Sequence, residues 1–170
     1  MERQKWVSHK FNLGLDPGWA QNVITRLNDL VIRLDHHCKS LSYDQLSFKP
    51  SGAWSIKEHI GHLIDLEELH ELRLKEFAKF QPELSAADMS NRKTVAANHN
   101  DRSLDGLLND LQTARIQLLS AYLKLAEECL QHEAIHPRLK VPMRPVDLLF
   151  FVAEHDDHHL TTILDIKNGF

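Results

Sequence analysis

Apolar residues along this chain recur at steps of three and four, the spacing that places side chains on one face of an α-helix. Four segments show this pattern, and it predicts helices over about residues 17–41, 55–80, 103–131 and 145–167. The first helix has the apolar positions Trp19, Val23, Leu27, Leu30, Leu34, Cys38 and Leu41. No segment shows the strict alternation of a β-strand, an internal repeat or a low-complexity tail.

Local signals mark where the first three helices begin. Asp16 followed by Pro17 is typical of a helix N-terminus, with proline at the first helical position. Ser55 and Glu58 form the pattern of a capping box, in which each side chain binds the backbone amide of the other residue. Ser103 precedes the third apolar stripe as an N-cap. These signals support an all-α fold.

Two longer connections separate the predicted helices. Residues 81–102 contain a proline, several Ser, Asn and Asp residues and little periodicity, as expected of a segment that crosses a bundle or covers a pocket. A second connection carries Pro137, Pro142 and Pro145. Four amphipathic helices with such links predict an all-α four-helix bundle with long crossover connections, a single domain over residues 1–170.

Composition excludes several classes of protein. The 170 residues are 42% hydrophobic and 26% charged, enough to bury one core without disulfides. No apolar run is long enough for a bilayer and the first residues lack a signal-peptide pattern, so we expect a cytoplasmic protein with no membrane partner. A formal net charge of -4 with dispersed Lys and Arg argues against nucleic acid. Cys38 and Cys129 are too few for a thiolate cluster, so nitrogen or oxygen must hold any metal.

The fourth predicted helix carries the strongest chemical signal. His155 and His159 are four residues apart, so both imidazoles lie on its inward face, as a chelating pair requires. On the helical wheel His158 lies on one flank, Asp156 on the other, and Asp157 on the solvent side. Two buried imidazoles without partners would be unfavourable, which favours the ligand interpretation over two core histidines.

A third ligand has to come from another helix, and the second helix offers His59, His62 and His70. Apolar periodicity slightly prefers His59 and His70, whereas His62 shares a flank with Leu66 and Leu69. Spacing alone therefore leaves the choice among the three open.

Two segments together resemble a known family: residues 54–63, WSIKEHIGHL, and residues 154–159, EHDDHH. They are similar to the DinB superfamily, including its YfiT-like metal-binding members. In that family a W-S/T-x-x-E-x-x-x-H segment opens the second helix, and a late helix supplies H-x-x-x-H. The resemblance covers the order of all four helices. It implies His62, His155 and His159 as the metal ligands.

The resemblance also bears on neighbouring positions. Glu58 matches the family's acidic position, where it serves either the capping box or the orientation of a ligand. Trp54 matches as a packing residue where the second helix enters the bundle. His59 and His158 add imidazoles beside the expected ligands, so a swapped or extra ligand stays open.

Three neutral imidazoles leave the charge of a divalent ion uncompensated and a coordination position open to water. Such a set suits Zn, Ni, Cu or Fe, of which we favour Zn or Ni. The resemblance implies a metal-dependent hydrolase. One alternative is an S-transferase that activates a low-molecular-weight thiol, as in bacillithiol S-transferases and mycothiol-dependent isomerases, and another is a non-catalytic, stress-associated metal-binding module. The expected partner is a small molecule, and the family commonly forms homodimers.

No general base is evident from the sequence. Asp156 or Glu58 could accept a proton, but neither lies clearly on the ligand face. The sequence alone therefore leaves open whether the site is catalytic.

Overall fold

A computed structural model of the chain describes residues 3–170. It contains four long helices, which we number α1 (Ala20–Cys38), α2 (Ile56–Ala78), α3 (Leu104–Leu123) and α4 (Pro145–Lys167). The remaining helical segments are short α-helices at Tyr43–Ser47, Arg92–Ala96 and Glu127–Leu130, and 3₁₀ turns at Trp6–Ser8, Pro17–Trp19, Pro50–Gly52 and His99–Asp101. The predicted four-helix bundle is confirmed. Within the described range, no helix is both long and apolar enough to cross a membrane.

Two helices differ from their predicted bounds. α1 begins later than expected because Pro17–Trp19 forms a 3₁₀ turn, which the Asp16 side chain caps. The predicted helix 103–131 is interrupted after Leu123, and Ala126 adopts an extended conformation before a separate short helix. The period of apolar residues continues across this break, which is why the sequence pattern does not reveal it.

The connection before α4 carries two short antiparallel strands, β1 (Ala134–Ile135) and β2 (Pro142–Met143). Ala134 pairs with Met143 across the ladder. Sequence reasoning missed these strands because two residues are too few to show alternation.

The order of the helices around the bundle brings α2 beside α4. α1 packs against α3 and α4, and α2 packs against the same two helices, so α1 and α2 occupy opposite corners. The connections from α1 to α2 and from α3 to α4 therefore cross the bundle. Residues 81–102, one of the two longer connections seen in the sequence, instead join the adjacent helices α2 and α3. α2 and α4 become neighbours although they are far apart in the sequence.

A layer of buried polar residues divides the apolar interior. One apolar cluster includes Leu74 and Val152, and the other includes Ile60 and Ile163. Buried polar groups are unfavourable unless they are paired or bind a ligand, so this layer is the natural place for a functional site. Its members are His62, Glu67 and His70 of α2, Arg115 of α3, and His155, Asp156 and His159 of α4.

The N-terminal segment packs over this layer. Oδ1 of the fully buried Asp147 accepts hydrogen bonds from the backbone N–H groups of Gly14 and Leu15, both at 2.9 Å. Trp6 lies nearer the N-terminus in the same segment, and its ring centroid is 5.0 Å from that of His155. The segment therefore forms one wall of the candidate site.

Both cysteines are buried and free. Burial raises the pKa of the Cys38 thiol to about 11, so the thiol stays protonated at neutral pH and is a poor nucleophile. Cys38 lies in the apolar cluster around Ile60, as expected of a small core residue.

Candidate metal centre

Three histidines from two helices converge in the polar layer. His62 of α2 and His155 and His159 of α4 are buried, and one ring nitrogen of each lies within 4.8 Å of the others. The Nε2 atoms of His155 and His159 are 3.1 Å apart. Two nitrogens that each lie about 2.0–2.1 Å from one tetrahedral zinc ion are separated by roughly 3.3 Å, so the spacing fits a metal site.

All three imidazoles are neutral at neutral pH. Burial lowers the pKa of His62 to about 4. Burial, together with the charge that neighbouring histidines would carry, lowers the pKa of His155 and His159 well below its usual value. Because metal binding requires the unprotonated form of a ligand, the cluster offers its nitrogens in the state that a metal needs.

A hydrogen-bond relay sets the tautomer of His62. Thr94 Oγ1 donates its single proton to Asp65 Oδ2 at 2.9 Å. Thr94 Oγ1 also lies 3.1 Å from His62 Nδ1. Because its own proton goes to Asp65, Thr94 Oγ1 accepts from Nδ1–H, which leaves the lone pair of His62 on Nε2. His99 Nε2 also donates to Asp65 Oδ2, at 2.9 Å. Partners of this kind orient metal-binding histidines.

His59 and His158, which the sequence leaves open as further ligands, have other contacts. His59 Nδ1 lies 2.8 Å from His159 Nδ1, on the far side of that ring from the cluster. His158 Nδ1 lies 3.1 Å from Arg3 Nη2. In the described part of the chain, the mutually close ligand atoms belong to His62 and the α4 pair, not to these two residues.

The two aspartates of the α4 motif have arginine partners. Asp156 is buried and accepts hydrogen bonds from Arg115 Nη1 and Nη2 at 2.8 and 3.2 Å. Asp157, which the helical wheel places toward solvent, instead pairs with Arg26 and Arg33 of α1 at 2.5 and 2.7 Å. Asp157 remains partly exposed, but the wheel does not show these pairs, because the periodicity of one helix does not show its neighbours.

Glu58 has the capping-box role. Its Oε2 accepts from the Ser55 backbone N–H at 2.9 Å, and Ser55 Oγ accepts from the Glu58 N–H at 3.2 Å. Its Oε1 pairs with Lys49 Nζ at 2.6 Å. Both carboxylate oxygens are therefore engaged at the start of α2.

The histidine cluster opens into a pocket of about 440 Å³, within the usual size range of small-molecule sites. Trp6 and Trp54 flank the cluster. The Trp54 ring lies 4.7 Å from that of His62, so Trp54 contacts the site as well as packing at the helix entry.

Loop residues complete the pocket, and sequence reasoning missed most of them. The connection 81–102 covers the pocket, one of the two roles predicted for it. Loop residues show no periodic pattern. In the second connection, only the residue types of His136 and Arg138 could have indicated a role in the site. The lining residues from the two connections are Ala86, Ala87, Asp88, Met89, Asn91, His136, Pro137 and Arg138.

Gly61 allows the His99 ring of this relay to approach α2. A Cβ atom at position 61 would overlap the ring of the buried His99. We expect Gly61→Ala to lower the free energy of unfolding by about 1–3 kcal/mol through this overlap, measured by urea denaturation. Helix propensity alone predicts the opposite sign, a gain of about 1 kcal/mol.

The control for this substitution is the same change in a His99→Ala background. With the ring removed, Gly61→Ala should be neutral or stabilising. If Gly61→Ala stabilises the chain that retains His99, the close approach of His99 to α2 is incorrect.

The sequence model of the DinB superfamily matches residues 32–163. The chain belongs to the DinB superfamily. The chain is similar to the uncharacterized protein YuaE of Bacillus subtilis (strain 168). The two are 28% identical over 153 residues, which cover 82% of this chain and 94% of YuaE.

Two solved structures share the fold of this DinB-superfamily chain. YfiT from Bacillus subtilis, described as a probable metal-dependent hydrolase with an unusual four-helix bundle topology, matches with a TM-score of 0.78 at 17% identity, over 94% of this chain and 92% of YfiT. The mycothiol-dependent maleylpyruvate isomerase matches with a TM-score of 0.66 at 11% identity, over 85% of this chain and 60% of the isomerase. At these identities the likeness concerns the fold alone.

Proposed function

We propose that this DinB-superfamily protein binds a divalent metal ion through His62, His155 and His159 and hydrolyses a small molecule held in the adjoining pocket. The observation that carries this proposal is the convergence of three neutral imidazoles at the pocket wall. Among the ions that accept nitrogen ligands without a thiolate, Zn and Ni are the ones we favour. The description of YfiT as a probable metal-dependent hydrolase supports the same reaction class.

When bound, such an ion supplies a Lewis acid that polarises a carbonyl group and lowers the pKa of the water it binds. The residues of the chain prepare the site for it. Asp65 and Thr94 hold His62 in the tautomer with a free Nε2, and His59 orients His159 through its Nδ1. Outer partners of this kind raise metal affinity by holding the ligand rings in place.

His70 is our candidate for carrying a proton during hydrolysis. It is buried and lines the pocket, and its Nδ1 lies 3.9 Å from Glu67 Oε1. Glu67 is itself held by Arg115 at 2.8 Å. An imidazole beside a carboxylate is suited to general acid–base catalysis. Asp156 and Glu58, the candidates from the sequence, are engaged by Arg115 and the capping box instead.

A thiol S-transferase is the second candidate function. The mycothiol-dependent maleylpyruvate isomerase shares the fold, and its thiol dependence motivates the comparison. In such a reaction the same histidine cluster would hold an ion that stabilises a thiolate. The pocket volume accommodates part of a thiol cosubstrate beside an electrophile.

Two assays on the metal-loaded protein separate these functions. One measures hydrolysis of a panel of small esters and amides, and the other measures conjugation of electrophiles with bacillithiol or mycothiol. Hydrolysis that requires metal and no thiol supports the proposal. Conjugation that requires the thiol would replace it with the transferase, and turnover in neither assay would indicate a non-catalytic metal-binding module.

A substitution of His70 tests the proposed proton carrier. We expect His70→Ala to lower kcat by about 100-fold while leaving the metal content unchanged, as for the loss of a general acid or base. The matched control is His36→Ala, which removes an exposed imidazole on α1 and should leave kcat unchanged. An unchanged kcat in His70→Ala would exclude His70 from proton transfer.

A further inference from the structure

Two arginines without acidic partners line the same pocket. Arg73 of α2 donates from Nε and Nη2 to the Ser85 carbonyl at 3.0 and 2.8 Å, and Arg138 belongs to the connection before α4. No carboxylate oxygen of residues 3–170 lies within 4.0 Å of either guanidinium. Asp88 also lines the pocket, but it pairs with Arg92 at 3.0 Å.

The positive charges of the two arginines oppose each other. Burial lowers the pKa of Arg73 to about 10; the charge of Glu76 opposes this shift, and the charge of Arg138 adds to it. Burial also lowers the pKa of Arg138. Both side chains remain protonated at neutral pH. This part of the pocket therefore carries two positive charges that form no ion pair with residues 3–170.

His136 adds a neutral donor to the same part of the pocket. Its Nδ1 accepts from the backbone N–H groups of Arg138 and Leu139, both at 3.2 Å, so the proton of this imidazole is on Nε2. Burial, with the charges of Arg73 and Arg138, lowers the pKa of His136 to about 3, which keeps the ring neutral. His136 is 2% exposed, and its Nε2 has no hydrogen-bond partner among residues 3–170.

Arg138 has an unpartnered donor as well. Its Nη2 is shielded from solvent and has no partner in the part of the chain that the structure describes. Its Nη1 reaches only the Val7 carbonyl, at 3.5 Å. Its Cζ lies 6.0 Å from the ring centroid of Trp6 and 5.8 Å from that of Phe151, and aromatic faces attract a cation without neutralising it. Buried donors without acceptors are rare, and they point to a missing ligand or water.

Two aromatic rings, those of Trp6 and Phe151, lie between these donors and the histidine cluster. The Trp6 ring that faces Arg138 also lies 5.0 Å from the His155 ring. The Phe151 ring lies 5.0 Å from that of His136. Phe151 is also one helical turn before His155 on α4, so it adjoins both the donors and the histidine cluster. One small molecule can therefore contact both parts of the pocket at once.

We propose that Arg138, His136 and Arg73 form an anion end of the pocket, which binds a carboxylate or phosphate group of the substrate while the reacting bond lies at the histidine cluster. The identification of the cluster as the reacting end rests on the proposed function. An oxyanion supplies the acceptors that Arg138 Nη2 and His136 Nε2 lack, once the partly buried Arg138 side chain rotates toward the pocket. Its negative charge also offsets part of the positive charge of the two arginines.

The test uses pairs of probes that differ only at one terminus. Each pair consists of an α,ω-dicarboxylic acid monohydroxamate and the corresponding hydroxamate with a terminal carboxamide, at several chain lengths. The hydroxamate chelates a divalent ion at the histidine cluster, and the other terminus reaches the anion end. Calorimetric titration of the metal-loaded protein should show the best carboxylate probe binding about tenfold more tightly than its amide, the gain of one charge-assisted pair.

Arg138→Gln should remove this difference between the two probes. Its matched control is Lys140→Gln, which removes one positive charge from the same connection at an exposed residue outside the pocket and should preserve the difference. Equal affinity of carboxylate and amide probes at every chain length in the wild type would overturn the anion end. Failure of both probes to bind would instead count against the metal function.

If neither probe binds the metal-loaded protein, the anion end is tested without metal. Glutarate and inorganic phosphate are titrated separately into the metal-free protein, and tryptophan fluorescence reports binding because Trp6 adjoins Arg138. A saturable change that Arg138→Gln abolishes supports the anion end, and the tighter of the two probes distinguishes a carboxylate from a phosphate ligand. No saturable change with either probe would overturn it.

Discussion

Replacing any one of His62, His155 or His159 by alanine should lower the affinity for Zn or Ni by at least about 100-fold, since even the loss of an outer partner of a ligand costs about 10- to 100-fold. Each substitution removes one of the nitrogens that lie within 4.8 Å of one another, and two remaining imidazoles make a weaker chelate. The measurements are metal analysis of the purified protein and competition against a chromophoric chelator.

Graded controls separate a ligand from its neighbours. His59→Ala removes only the partner of His159 Nδ1 and should weaken metal binding by about tenfold. His36→Ala removes an exposed imidazole and should have no effect. Far-UV circular dichroism of each metal-free variant establishes that the bundle is intact. The metal site is refuted if the wild type binds no divalent ion, or if the three ligand substitutions leave the stoichiometry unchanged.

Arg115→Met should lower the free energy of unfolding by about 3–5 kcal/mol, the cost of leaving buried charges without their partner. Arg115 is 1% exposed and bridges Glu67 of α2, at 2.8 Å, to Asp156 of α4. Methionine fills much of the same volume. The expected loss of stability therefore comes from the two buried carboxylates left without a partner rather than from a cavity. Urea denaturation followed by circular dichroism measures it.

A triple variant tests this electrostatic explanation. Adding Glu67→Met and Asp156→Leu to Arg115→Met removes all three charges and should recover most of the lost stability. The surface control is Arg102→Met, which breaks a partly exposed pair with Asp110 and should change stability by at most about 1 kcal/mol. A triple variant as unstable as Arg115→Met alone would show that packing, not charge, dominates at this position.

Local interactions account for the features that the sequence predicts well. The capping box of Ser55 and Glu58 needs only the first turn of α2, and both of its hydrogen bonds are present. α4 spans Pro145–Lys167, the range that its apolar period indicates. Within any helix, His155 and His159 lie on one face, because residues four apart are neighbours on the helix surface.

The third histidine shows where periodicity stops being informative. His59 and His62 are roughly 60° apart around α2, so both fall within the inward face of a helix that contacts two neighbours. The resemblance to the DinB superfamily, not the spacing, selects His62. In the structure His62 lies beside the α4 pair, and His59 contacts the outer nitrogen of His159.

The sequence by itself determined the four amphipathic helices, most of their ends and the paired histidines of α4, because these depend on hydrogen bonds and side-chain contacts within about four residues. Only the tertiary structure decided that α2 lies beside α4, that Asp156 meets Arg115, and that loop residues such as Arg138 line the histidine pocket. These features depend on packing between segments far apart along the chain. Local periodicity specifies which face of a helix is buried, but it does not specify which partner covers that face.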